Sequence, residues 1–273
     1  MQIHLNGEQL KKLQKTELEM LEEIDRICKK NGITYTLIGG SLLGAVRHQG
    51  FIPWDDDADV AMLRKEYDRF VKACKTDLDE SRFYFQDMNE TPGYRWGYGK
   101  LRRKNTLFLR DGQEHMPYEQ GMFVDIFPAD AVPDNPFMRK LHEFHCFCIR
   151  KVMWSEVGKK TDKSRAMRMW YAILSKIPEK KVKKHLNKFI YRCNKKKSEL
   201  VRTYLFPVRK HVSGYQREWY EKTEEVIFEG VYLQGSVYRT AYLKRKFGDN
   251  YMELPPVEKR QCHPVSDIKF VEV

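Results

Sequence analysis

Between Gly39 and Leu63 the chain reads GGSLLGAVRHQGFIPWDDDADVAML, a glycine turn followed closely by four aspartates. In an extended strand successive side chains alternate faces, so Asp55, Asp57 and Asp59 fall on one face and Ala58, Val60 and Met62 on the other. Carboxylates this close raise one another's pKa unless a hard divalent cation lies between them. Magnesium, or manganese in its place, suits such a site, because it takes one or two carboxylates together with water and substrate phosphates. A further aspartate stands in GMFVDIFPAD, where Asp125 shares a strand face with Phe123 and Phe127. A charge in so apolar a run needs a partner. That partner is either the same metal, reached from an adjacent strand, or the end of a helix that Asp125 caps. Asp130, just beyond Pro128, reads as a turn or cap residue.

Three kinds of element must hold these groups. Leu10, Leu13, Met20, Leu21, Ile24, Ile27 and Cys28 recur at helical spacing up to an Asn31-Gly32 stop, which predicts an amphipathic packing helix. ITYTLIGG then predicts a short buried strand and SLLGAVRH a helix with Ser41 at its N-cap, whose free amides suit a phosphate. The Gly40-Ser41 turn is equally an ordinary tight strand-to-helix connection. RKEYDRFVKACK predicts a helix with Tyr67, Phe70, Val71 and Cys74 inward. In TPGYRWGYGKLRR a strand would put Tyr94, Trp96, Tyr98, Lys100 and Arg102 on one face. That face is either ordinary core or a ligand wall, its rings holding a quaternary ammonium by cation–π attraction and its basic groups a phosphate.

From Pro136 to about Arg202 the pattern turns helical and basic. His142, His145 and Cys146 share a helical face, which without a second ligand cluster reads as helix surface rather than zinc site. In SRAMRMWYAILSKIP, Met167, Trp170, Tyr171, Leu174 and Ile177 alternate with Arg165, Arg168 and Lys176, as in a helix lying on an anionic membrane or one packed on a core. His263, alone near the end, could be a catalytic acid but reads rather as a packing or solvent residue. The 273 residues are 41% hydrophobic, enough for a substantial core, and carry a net charge of +12, densest from Lys159 to Lys210. An anionic partner follows, whether nucleic acid, acidic lipid or phosphorylated substrate. Six cysteines without a CxxC pair, and a start without a signal peptide's apolar core, point to a reducing cytoplasm. No apolar run approaches the roughly 20 residues that span a bilayer.

The run from Gly40 to His48, and then Gly50 to Val60, resembles the signature of the LicD family. VDIFPAD, FEG and FGDNYMELPP resemble its later motifs in the same order. The resemblance implies an α+β fold with a nucleotidyltransferase-like mixed sheet flanked by helices, a basic helical segment and a C-terminal extension. It implies a single catalytic domain over residues 1–273, with a core at about 17–131, the helical segment at about 136–202 and a C-terminal part at about 203–273. By the same resemblance Asp57, Asp59 and Asp125 are the catalytic metal ligands, with Asp55 a further candidate. Gly40, Ser41 and Arg47, assisted by Lys100 or Arg102, would hold the donor's pyrophosphate. The family moves a phosphoalcohol, phosphocholine foremost, from a CDP-alcohol donor to a sugar hydroxyl of a teichoic acid or lipopolysaccharide precursor. Tyr94, Trp96 and Tyr98 would then meet the head group, and the basic helix the inner face of the plasma membrane. A CTP-using nucleotidyltransferase is the nearest alternative. A basic nucleic-acid-binding protein with structural aspartates is the alternative of another class, disfavoured by a row of carboxylates that repels phosphate unless metal is present.

Overall fold

The apolar residues that recur at helical spacing near the start bury together as the inner face of α1 (Gly7–Asn31) in the computed structural model, which describes residues 3–207 and 212–271. Lys210, the end of the basic stretch, lies outside these. Asn6 and Gln9 close a capping box on α1, each side chain accepting from the other's backbone N–H. The main sheet holds β1 (Thr36–Leu37), β2 (Asp59–Leu63), β3 (Phe83–Gln86), β4 (Gly99–Arg103), β6 (Phe123–Ala131), β7 (Leu200–Arg202) and β8 (Tyr215–Gln216). Its order is β1-β2-β6-β4-β3, with β7 on the far end of β6 and β8 on β7. Only β2 and β6 run parallel, so this is the mixed sheet of an α+β fold. Every residue of β6 is buried, which is why it reads as an apolar run rather than an alternating one.

Helix α1 lies across β4 and β6, and α3 (Arg64–Asp77) packs beside it against β2 and β6. Helix α2 (Gly39–His48) follows β1 and touches β2, α8 (Arg239–Phe247) and the hairpin of β9 (Thr223–Phe228) and β10 (Val231–Ser236). The short α7 (Glu218–Glu221) precedes that hairpin. Strand β5 (Leu107–Arg110) pairs with β11 (Val265–Lys269), and Ile3 bridges to Val265. The basic segment forms α4 (Pro136–Thr161), α5 (Arg165–Leu174) and α6 (Glu179–Cys193). These enclose a second apolar cluster, apart from the one under the sheet, around Tyr94, Tyr118, Ile149, Leu186 and Phe189.

Several local expectations change. The acidic strand begins at Asp59 rather than Asp55, because residues 55–58 follow a turn at Pro53-Trp54 and β1 pairs only with Val60 and Ala61. The aromatic strand begins at Gly99 rather than Tyr94, after turns through Thr91-Pro92-Gly93. Ile38, not Ser41, is the N-cap of α2. Asp130 is neither turn nor cap: it lies in β6, where Arg64 grips both its oxygens at 2.7 and 2.8 Å and Asn194 donates to one.

Candidate active site

Register places the key groups side by side. Asp59 of β2 lies opposite Asp125 of β6, and Asp125 lies opposite Lys100 of β4, so three neighbouring strands present them on one face. The Lys100 ammonium is ion-paired to Asp125 Oδ1 and sits 3.2 Å from the centroid of the Phe123 ring. At the start of α2 the backbone comes close to the acids. A Cβ on Gly39 would lie 2.9 Å from Asp59 Oδ2 and 3.3 Å from Lys246 Nζ, and one on Gly40 would lie 2.3 Å from Asp55 Oδ2. Glycine is therefore required for the carboxylates to sit this close to the positive end of the helix. Ser41 Oγ accepts the Asp59 N–H at 2.8 Å, tying the helix to the first residue of β2.

Although residues 55–58 are not strand, their burial still alternates: Asp56 and Ala58 are buried, while Asp55 and Asp57 are half-buried beside Asp59. Asp56 holds His263, accepting from its backbone N–H at 3.0 Å and meeting Nδ1 at 2.7 Å. Arg110 reaches Asp56 and Asp57, each at 3.5 Å. The β5–β11 pair brings Arg110 and the His263 segment to this point, since Arg110 is in register with Val265. Among the described residues, Asp56, Asp57 and His263 are the group of possible metal ligands whose donor atoms all fall within 4.8 Å of one another. His263 is solvent-exposed, as expected, but it is also bound to Asp56, and that hydrogen bond is the chief cause that raises its pKa.

The electrostatics show a surplus of negative charge. Burial first, then Asp57 and Asp56, push Asp55 up to about 8, with His263 and Arg110 opposing. Asp59 is raised well above the carboxylate range by burial, Asp57 and Asp125, against Lys246. Burial also raises Asp125, although Lys100 opposes it. Glu17 of α1 is fully enclosed, its Oε2 has no partner, and burial followed by Asp57, Asp56 and Asp55 raises it strongly. Burial lowers Lys100 to about 8, against the pull of Asp125. Asp55, Asp57, Asp59 and Asp125 are not set as closely as Asp56, Asp57 and His263, but their excess of oxygen donors over cations suits a hard cation.

Other expected groups are dispersed. Arg47 stands at the far end of α2, its guanidinium donating to the carbonyls of Tyr251 and Glu253 at 3.1 and 3.0 Å, and is not brought to the carboxylates. Arg102 is buried beyond Lys100, bound to Gln86 at 2.7 Å and to the Gly121 carbonyl at 2.5 Å. The three aromatic residues do not form one wall. Tyr94 is fully buried in the second core, whereas Trp96 tilts against Trp154 at 5.3 Å and Tyr98 against Phe127 at 4.5 Å. His142 packs on Phe189 and Tyr204, and His145 on His185. Arg110 and Lys246 were not expected. Both carry the ordinary signal of charge, but the acids they meet lie far away in sequence.

Two cavities share Phe206, and one of them contains Asp59. One of about 180 Å³ is lined by Asp59, Phe127, Arg202, Phe206, Tyr215 and Lys246. The other, about 320 Å³, shares Phe206 and adds Trp96, Tyr98, Arg150 and Trp154. A larger groove, about 790 Å³, lies at the other end of β2 beside Arg64, Asn194 and Lys196, away from the carboxylates.

Residues 32–151, which carry α2, the acid row, Lys100, Arg110 and Asp125, match the family described as LicD/FKTN/FKRP, nucleotidyltransferase domain. The chain is similar to the lipopolysaccharide cholinephosphotransferase LicD of Haemophilus influenzae, 30% identical over 263 residues, covering 92% of this chain and 94% of that protein. It is also similar to the uncharacterized protein RP689 of Rickettsia prowazekii, 39% identical over 120 residues, covering 44% of this chain and 41% of that one. With the Haemophilus protein matched almost from end to end, and the family's domain lying over the gathered carboxylates, this chain belongs to the LicD family and is a phosphotransferase.

Proposed function

We propose that the enzyme transfers phosphocholine from CDP-choline to a sugar hydroxyl of a lipopolysaccharide or related cell-surface glycan precursor, with magnesium or manganese as cofactor. The observation that carries this reading is the register of Asp59 with Asp125 across β2 and β6, in a chain similar along its length to a lipopolysaccharide cholinephosphotransferase. In the transfer, the acceptor oxygen bonds to the phosphorus next to the choline as the bond to the departing CMP breaks. The acceptor's proton is lost to a carboxylate or to water. A bound divalent ion would neutralise the phosphates and favour the ionised acceptor oxygen. Asp57, Asp59 and Asp125, with Asp55 beside them, would hold that ion. Lys100 keeps Asp125 in place, the start of α2 faces the phosphates, and Lys246 and Arg110 supply positive charge at the rim.

Among the described residues no helix is long and apolar enough to cross a membrane. Helix α5 buries only Tyr171, while Met169, Trp170 and Ile173 are exposed, as are Phe137, Leu141 and Phe144 of α4. With the lysines around them these side chains suit peripheral contact with an anionic cytoplasmic leaflet, where lipid-linked acceptors are found.

Calorimetry with CDP-choline, CDP-ribitol and CTP, each with magnesium and with chelator, tests the reading, together with analysis of the released nucleotide. Metal-dependent binding of CDP-choline and release of CMP are expected. Preference for CTP with release of pyrophosphate would make the enzyme a nucleotidyltransferase instead.

A further inference from the structure

Resting on that reading, we propose that the cavity between Trp96, Tyr98, Trp154 and Phe206 binds the acceptor, and that the acceptor is an anionic glycan whose phosphate is held by Arg150 and Arg202. Arg202 is 6% exposed and its Nε has no hydrogen-bond partner. Its cross-strand neighbour Asp130 is already committed to Arg64 and Asn194. A buried guanidinium left so is costly unless an anion completes it. Arg150 of α4 also makes no ion pair among the described residues. Burial, and after it the charge of Arg202, lowers its pKa. They line adjoining cavities that share Phe206, one of which contains Asp59. A ligand lying across Phe206 would therefore reach from this pair of guanidinium groups to the carboxylates.

The lining decides between the two substrates. Aromatic rings alone would suit the quaternary ammonium of choline. Here Arg150 and Lys151 stand on the same walls, and a fixed cation beside them would be repelled. A sugar ring against the indoles, with phosphate on the planar guanidinium groups, satisfies both kinds of surface.

The test uses calorimetry on the purified chain with three probes: a phosphorylated core oligosaccharide cleaved from lipopolysaccharide, the same oligosaccharide after phosphatase treatment, and CDP-choline with magnesium. The native chain is expected to bind the phosphorylated form more tightly. Arg150→Gln, at a half-buried surface position, should weaken that binding about tenfold or more. It should leave the phosphatase-treated form and CDP-choline within about twofold. Circular dichroism confirms that the variant is folded. Equal binding of the two oligosaccharides, no heat from the phosphorylated one, or a loss confined to CDP-choline would each overturn the assignment. Failure of the native chain to bind CDP-choline would sink the donor reading alone, because the oligosaccharide arm is read separately.

Discussion

Asp59 faces Asp55, Asp57 and Asp125, and the cation that opposes them at its carboxylate is Lys246. Such a group contributes to chemistry at the expense of stability, since burying a charge that is only partly matched is unfavourable. Asp59→Asn should lower kcat roughly a thousandfold, in line with the loss of one group that stabilises charge in the transition state. In metal-free buffer the same variant should unfold at an equal or higher urea concentration than the native chain. A near-normal kcat would remove Asp59 from the machinery, and a large loss of stability would mean that its charge is structurally matched. At this scale the sequence was readable where partners are close. The alternation from Asp55 to Asp59 and the cost of Asp125 in its apolar run both follow from local rules. His263 was passed over because its partner, Asp56, lies 207 residues away.

At the scale of elements, the Arg64–Asp130–Asn194 network joins α3, β6 and α6. Asp130 is 1% exposed, so removing it leaves the buried Arg64 with only the longer pairing to the exposed Asp68 at 3.5 Å. Asp130→Ala should cost about 3–5 kcal/mol in urea unfolding. A loss within the ±0.5 kcal/mol usual for surface positions would show the network to be ornamental. The helices were legible because their periodicity is local: α1 buries all seven residues expected of it, and α3 buries three of its four, Val71 being half-buried. Strand limits were less so. Whether Tyr94 belongs to a strand depends on whether another strand runs beside it, and β6 offers partners to β4 only from Gly99 onward. Tyr94 and Trp96 therefore left the face on which alternation alone would put them. Pairing register, which brings Lys100 beside Asp125, is likewise set by contacts between distant segments.

Across the whole molecule the two apolar clusters answer acid in opposite directions. His142, in the helical half, is held down to about 4 by burial, with Arg202 and His145 adding to it. The unfolded chain takes up that proton near the ordinary value of 6.5, so the stability present above 6.5 is lost as the pH falls toward 4. Between pH 7 and pH 5 this amounts to about 2 kcal/mol. Asp55, at about 8, has the reverse sign: folded protein takes the proton first, and the sheet half gains as pH falls. Hydrogen exchange corrected for intrinsic rates should show residues 136–193 losing protection at pH 5 while β2 and β6 keep theirs. A uniform change across both halves would contradict it. The pairing of β5 with β11 has one more consequence, in time rather than space. A growing polypeptide presents its whole row of aspartates long before His263 has been translated. Until residue 269 has cleared the ribosome's exit tunnel, the acidic end lacks that histidine and the strand that seats Arg110. The acidic end is therefore completed only once β11 has been made.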